Sequence, residues 1–600
     1  MGRSLAMIAL ASWLGACAAP EPAPDAGIGT QAGPPGRAAQ LDAIYDAWFE
    51  RNLALNPLEA TQIGDARYND QLPNTLAPEW RESTRRLHQE FLDRAKSIGA
   101  AGLGAQDLLS YELFVHQLER ELETLRYPRH LVPLNQFYSF ASSFAVLGSG
   151  TSAQPFAGVA DHDAWLRRAR RIPAIFDQAI ANMREGIAAG ITQPRVLMQK
   201  VLPQLDAQIV DEVERSSYWG PVARMPDSFP AAERERLQRE YRALIAEQLV
   251  PAYRRLREFV AAEYLPAART SVGLGALPDG AQWYAFQVRR STTTALTPDE
   301  IHAIGLDEVA RLQQEMRAVQ RELGVDGSLQ DFYRAMKAEP RNYYASEDEL
   351  LAAYRGFRVT IEPRLPALFD IRPKADFEIR AVESFRAASA SAASYQAPSE
   401  DGSRLGIFYV NTHDLKARPR WALEALYLHE ATPGHHFQIA LQRELTGLPR
   451  FRRFSGEIAF SEGWGLYAES LGPELGVYTD PVMRFGALDA ELWRAIRLVA
   501  DTGIHARGWT RQHVLDYMYA NSPAEPTRAV SEAERFMAIP GQALAYKIGQ
   551  LRIRALRTRA EQVLGPRFDL RAFHREVLVD GSLPLDVLEA KIDRWIAAQG

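Results

Sequence analysis

A mainly α fold is predicted by three observations. Apolar residues recur at three- and four-residue spacing through most of the 600 residues. Strand-type alternation is confined to two short runs, and no linker-like segment or internal repeat follows residue 38. The expected architecture is a large helical body, open to a two-lobed arrangement around a cleft, with a small antiparallel sheet near a candidate metal site.

The chain starts Met1-Gly-Arg3, a short basic stretch, and continues from Leu5 to Leu14 as an apolar run too short to span a bilayer. It ends Leu14-Gly15-Ala16-Cys17, which looks like a bacterial lipobox; an ordinary signal-peptide cut near Ala19 is the plainer alternative. The one cysteine of the chain stands at this position. Residues 1–17 are therefore expected to be a lipoprotein signal peptide ending at a lipidated Cys17, leaving a mature protein with no disulfide. With Ala18 next, a periplasm-facing outer-membrane anchor is expected in a Gram-negative host. Residues 18–38, rich in Pro, Ala and Gly, suit a tether, and 39–600 form the folded body, with a metal-binding core at about 400–550.

Helical patterns then follow over Ala39–Leu53, Glu79–Ile98, Asp107–Leu125, Asp163–Ala189 and Ala231–Tyr264. Thr297-Pro298-Asp299-Glu300 is a capping box that opens a helix to about Glu322. The strand signals are Phe377–Val382 and Gly406–Thr412; the second precedes the metal segment, and either its edge pairs with an extended peptide or it is only a packed strand. The balance of 69 basic against 75 acidic residues, net −6, shows no basic face, which argues against nucleic acid as a partner.

The chemistry gathers at His429-Glu430-Ala431-Thr432-Pro433-Gly434-His435-His436. Zinc hydrolases commonly carry H-E-x-x-H on one helix, with both histidines on one face. Here the i+4 position is Pro433, which cannot donate to the carbonyl of residue 429 and must break the helix. The Pro-Gly bulge can return His435 or His436 to a metal bound by His429. Catalytic zinc takes three protein ligands, so an acidic residue on a later helix is expected. The run Ile458–Gly472 supplies Glu462 and Glu469 on one face amid Phe460, Trp464, Leu466 and Tyr467, with Ser461 as the expected cap. Glu462 is read as ligand and Glu469 as a partner that orients a ligand histidine.

H-E-x-x-P-G-H-H followed by F-x-E-G-W-x-L-Y-A-E resembles the bacterial domain-of-unknown-function 885 family. Tyr264–Arg269, Leu277–Gly280, Phe408–Thr412, Asp501–His505 and Pro540–Tyr546 carry the same resemblance over most of the chain. That family is similar in pattern to gluzincin metallopeptidases such as thimet oligopeptidase, angiotensin-converting enzyme and helical metallocarboxypeptidases. The resemblance implies one zinc ion per chain held by His429, His435 and Glu462, with His436 as the alternative to His435, and Glu430 as general base. It also implies a late tyrosine against the tetrahedral intermediate, and Tyr546 after the Pro540-Gly541-Gln542 turn fits that place. His505, four residues past Asp501, is a second candidate for the oxyanion, with a helix-stabilising pair as the plainer account. Arg535 and Lys547 are candidate anchors for a substrate carboxylate, with solvated surface charge as the default. Asp161-His162-Asp163 is better read as a helix cap than as a metal cluster. The expected function is zinc-dependent hydrolysis of short peptides; amide or ester hydrolysis on another substrate, or a non-catalytic metal-containing binding lipoprotein, are the alternatives.

Overall fold

The computed structural model describes residues 36–383, 387, 390–400, 402 and 404–599. Residues 1–17, expected as a signal peptide ending at Cys17, and nearly all of the expected tether lie outside the described residues. Helices dominate from Arg37–Leu55 to Leu585–Gln599, so the mainly α expectation holds. None of the described helices is long and apolar enough to cross a membrane.

Most of the predicted helices appear with small shifts of boundary. Thr297 caps Pro298–Glu322: its hydroxyl accepts from the Glu300 N–H at 3.3 Å, while Glu300 Oε2 accepts from the Thr297 N–H at 2.8 Å. The predicted 163–189 helix is two helices, Val159–Ala169 and Ile172–Ala188, because Pro173 favours a new first turn. The 231–264 stretch stays helical but widens into π turns at Leu244–Leu249 and Val260–Tyr264. Pro251 and Pro266 stand just past those turns, where a wider turn relieves the clash between the ring and the preceding carbonyl. Asp161 does act at a helix start, its carboxylate accepting from the Gly158 N–H at 2.8 Å.

The sheet has three strands, β1 (Phe377–Ala381), β2 (Ala393–Gln396) and β3 (Gly406–Val410), in the order β1-β3-β2. It is mixed, not antiparallel: β1 runs parallel to β3, with Phe377 opposite Gly406, and β2 runs antiparallel to it, with Ala393 opposite Val410. The stretch 382–405 is long enough for the crossover of a dozen or more residues (~12) that a parallel neighbour needs. β3 is central and every residue of it is buried, which explains its continuous apolar sequence. Its two edges are therefore taken, so of the two readings of 406–412 the packed strand holds and pairing with a peptide does not. The outer edge of β1 is covered as well, since Arg358 donates to the Phe377 carbonyl at 2.9 Å and Arg355 to that of Ile379 at 3.3 Å.

The buried apolar residues divide into several clusters. One draws on residues 72–268 alone, while another joins the first helices (41–118) to 344–478 and 553–596. The candidate site lies on that second cluster, on the helices Leu423–Glu430, His435–Glu444 and Ile458–Glu469. Two further helices, Pro481–Arg507 and Leu544–Leu564, pack against this group.

Candidate metal centre

The helix Leu423–Glu430 ends where Pro433 requires, and the next begins at His435. Gly434 folds the chain back over the finished helix. A Cβ there would stand 1.9 Å from the His429 carbonyl oxygen and 2.3 Å from that of Leu428, so no other residue fits. Trp464 fixes the turn from the opposing helix, its indole N–H donating to the Pro433 carbonyl at 2.8 Å. That helix starts after Glu457, so Ser461 is inside it and does not cap it. Ser461 follows the apolar run 458–460, which already belongs to the first turn.

The fold brings His429, His435 and Glu462 together, with one ligand atom of each within 4.8 Å of the others. Glu462 Oε2 is 3.4 Å from His429 Nε2 and 3.3 Å from His435 Nε2. Ligand atoms about 2.0–2.1 Å from a tetrahedral zinc stand ~3.3 Å apart, so these spacings fit that ion. Glu462 Oε2 and His435 Nδ1 are buried without a hydrogen-bond partner among the described residues. His429 Nδ1 is 2.8 Å from Glu469 Oε1, which directs Nε2 to the group, and Arg494 donates to the same Glu469 oxygen at 3.1 Å. A Cβ on Gly465 would come within 2.8 Å of the His429 ring, so glycine there lets the two helices close on the imidazole.

The electrostatics favour a cation in this position. Burial opposes charge on His429, yet the adjacent carboxylates of Glu462 and Glu469 outweigh it and lift its pKa to about 10. Burial likewise pushes the Glu462 carboxyl up, but His429 and His435 hold it well below the usual range. Glu430 is buried beside the group, and its side chain makes no hydrogen bond or ion pair among the described residues. Burial raises its pKa.

His436 points elsewhere. Its Nδ1 is 3.0 Å from the Tyr395 hydroxyl of β2, and its ring packs on Phe377 of β1 at 4.5 Å. Burial lowers its pKa to about 4. Of the two adjacent histidines, His435 joins the group.

Tyr546 lies beside the site, its ring nearly parallel to that of His429 at 6.2 Å. His505 does not serve the role considered for it. Its Nδ1 accepts from the Leu274 N–H at 2.8 Å and its Nε2 donates to the Phe536 carbonyl at 2.9 Å, so neither nitrogen is left for substrate. Nor does it pair with Asp501, which accepts from the Tyr284 hydroxyl at 2.6 Å and from the Gly541 N–H at 3.0 Å. Asp501 thereby fixes the turn that precedes Tyr546. Lys547 is fully buried between Glu308 at 2.8 Å and Glu491 at 2.5 Å, which makes it neither an anchor nor a surface charge. Arg535 is largely buried and reaches the Tyr546 hydroxyl at 3.2 Å. Sequence reasoning placed Arg494 and Arg497 on the helix of Asp501 and His505 without giving them a role, and it passed over Glu532. The signal was present: Arg494, Arg497, Asp501 and His505 recur at three- and four-residue spacing on one helix face.

The fold and the site together define a class of helical protein with a His-His-Glu group, buried at His429 and partly exposed at Glu462, where a broken helix meets a second one. The chain belongs to DUF885, a family of bacterial proteins of unknown function, whose model matches residues 57–592. A solved structure from Colwellia psychrerythraea, provisionally described as a lipoprotein, is 28% identical with a TM-score of 0.88, covering 94% of this chain and all of that one. A second, a provisionally assigned lipoprotein of unknown function from Shewanella oneidensis, is 19% identical with a TM-score of 0.71 over 92% of this chain and 99% of that one; it shows the shared fold. No curated protein matches the chain.

Proposed function

We propose that this chain is a zinc-dependent hydrolase that cleaves short peptides. The observation that carries the reading is the His429–His435–Glu462 group with the unpaired, buried Glu430 next to it. Zinc held by those three residues would supply Lewis acidity, bringing the pKa of a water in its open position to ~7. Glu430 takes the water's proton and returns it to the leaving amine. Glu469, held by Arg494, keeps His429 in the tautomer that turns Nε2 to the site. Tyr546 donates its hydroxyl proton to the developing oxyanion. Arg535, donating to the same phenol oxygen, leaves that proton free to point at substrate. The choice of a peptide bond follows the likeness of the motif to gluzincin metallopeptidases. A panel of short peptides set against acyl esters and non-peptide amides tests it: turnover of esters alone would replace the peptidase with an esterase.

Tyr546→Phe is expected to lower kcat by about a hundredfold or more while KM changes little, since the donor acts mainly in the transition state. Steady-state kinetics check this. A kcat within about twofold of wild type would make Tyr546 a core packing residue instead.

We place the chain in the cell envelope, anchored by lipid on Cys17. The support is the lipobox-like Leu14–Cys17, the related Colwellia protein described as a lipoprotein, and the lack of a spanning helix among the described residues. Cys17→Ser should move the protein from the membrane fraction to the soluble one. A wild type that fractionates as soluble, with its N-terminus elsewhere, would contradict the anchor.

A further inference from the structure

Two guanidiniums and one carboxylate meet beside Tyr546. Glu532 accepts from Arg497 Nε at 3.0 Å and lies 2.8 Å from its Nη2, and Arg535 Nη1 donates to the same carboxylate at 3.1 Å. Arg535 Nη2 also donates to Gln542 Oε1 at 2.7 Å and to the Tyr546 hydroxyl at 3.2 Å. The guanidinium carbon of Arg497 lies 4.5 Å from the centre of the Tyr546 ring. Nearby cations have anions of their own: Arg494 has Glu469, and Arg528 has Asp489 at 3.7 Å.

By direct ion pairs the cluster holds two guanidiniums against one carboxylate; Asp501 acts on Arg535 from nearby, but its oxygens accept from the Tyr284 hydroxyl and the Gly541 N–H and not from either arginine. The Arg497 side chain is only 8% exposed, and its Nη1 is buried with no hydrogen-bond partner among the described residues. A buried surplus charge with an idle donor is costly unless an anion completes it. A carboxylate suits this setting best, because a guanidinium offers it parallel donors in one plane.

We propose that Arg497, with Arg535 beside it, receives a carboxylate of the substrate next to Tyr546. The inference rests on the hydrolase reading above and sharpens its substrate class. Tyr546 is 6.2 Å from the His429 ring and Arg497 is 4.5 Å from Tyr546, so the guanidinium stands no farther from His429 than those two steps together. At ~3.3–3.6 Å per residue of extended chain, the carboxylate falls one to three residues from the bond that is cut. A C-terminal carboxylate in that place means removal of one or a few residues from the end of a peptide. A side-chain carboxylate there means a preference for an acidic residue.

Calorimetric binding to the Glu430→Gln protein separates these sources. Its probes are tetra-alanine with a free C-terminus, the same peptide as its C-terminal amide, and that amide carrying one glutamate. Binding needs no turnover, so the result stands apart from whether the chain hydrolyses peptides. The free acid should bind about a hundredfold tighter than the plain amide, and Arg497→Gln on the same background should cut that ratio to below about five. Arg535→Gln provides the same reading if Arg497→Gln loses its helical circular dichroism. Tight binding of the glutamate-bearing amide supports the proposal and assigns the carboxylate to a side chain. Equal binding of all three probes, no binding of any, or a ratio that survives both arginine changes overturns it. Hydrolysis of the free acid and amide at equal rates would end this inference and leave the hydrolase reading standing.

Discussion

Glu430→Gln should keep its zinc and lose its activity. The amide is the same size as the carboxylate but cannot accept the proton of the attacking water, and a general base of this kind contributes about 10²–10⁴ in rate. Glu430 follows the proposed ligand His429 directly yet belongs to no ion pair among the described residues, which suits a base and not a ligand. Turnover and metal content measured on the same preparation check both halves. Retained activity would end the proposed mechanism, and loss of metal would place Glu430 among the ligands.

His435→Ala should lose metal and activity together, while His436→Ala should keep the metal. The two residues are adjacent but belong to different surroundings: His435 Nε2 is 3.3 Å from Glu462, whereas His436 is bound to Tyr395 and packed on Phe377. His436→Ala should instead cost stability, about 1 kcal/mol for the lost hydrogen bond plus the cavity left by the ring. Metal analysis and thermal unfolding of the two variants distinguish these outcomes. Zinc lost from His436→Ala alone would move the ligand by one residue.

Where the site is local, it was legible in the chain. Pro433 forbids a continued helix and Gly434 permits the fold-back, so the break between His429 and His435 follows from two residues whose backbone rules are strict. Glu462 and Glu469, seven residues apart among apolar neighbours, announced two inward-facing carboxylates. Which of His435 and His436 turns inward depended on partners from a distant sheet, and Tyr395 lies on the short strand β2, whose Ala-Ser-Tyr-Gln carries little strand signal. The same strand made the sheet mixed and placed β3 in its centre, a matter of long-range pairing that alternation along one strand does not encode. His505 misled for a related reason. A histidine at helical spacing from an aspartate looks the same whether its ring meets solvent, substrate or, as here, two backbone groups from separate segments. Lys547 and Arg535 were assigned to the surface by default, and burial in ion-paired clusters is a property of the packed fold.

The central claim is that His429, His435 and Glu462 hold a single zinc ion. Anomalous diffraction from crystals of the purified protein, recorded on both sides of the zinc absorption edge, tests it most directly. One edge-dependent peak per chain is expected, lying between His429 Nε2, His435 Nε2 and Glu462 Oε2 and clear of Glu430. A zinc-loaded crystal with no peak there, or with its peak at His436, would contradict it.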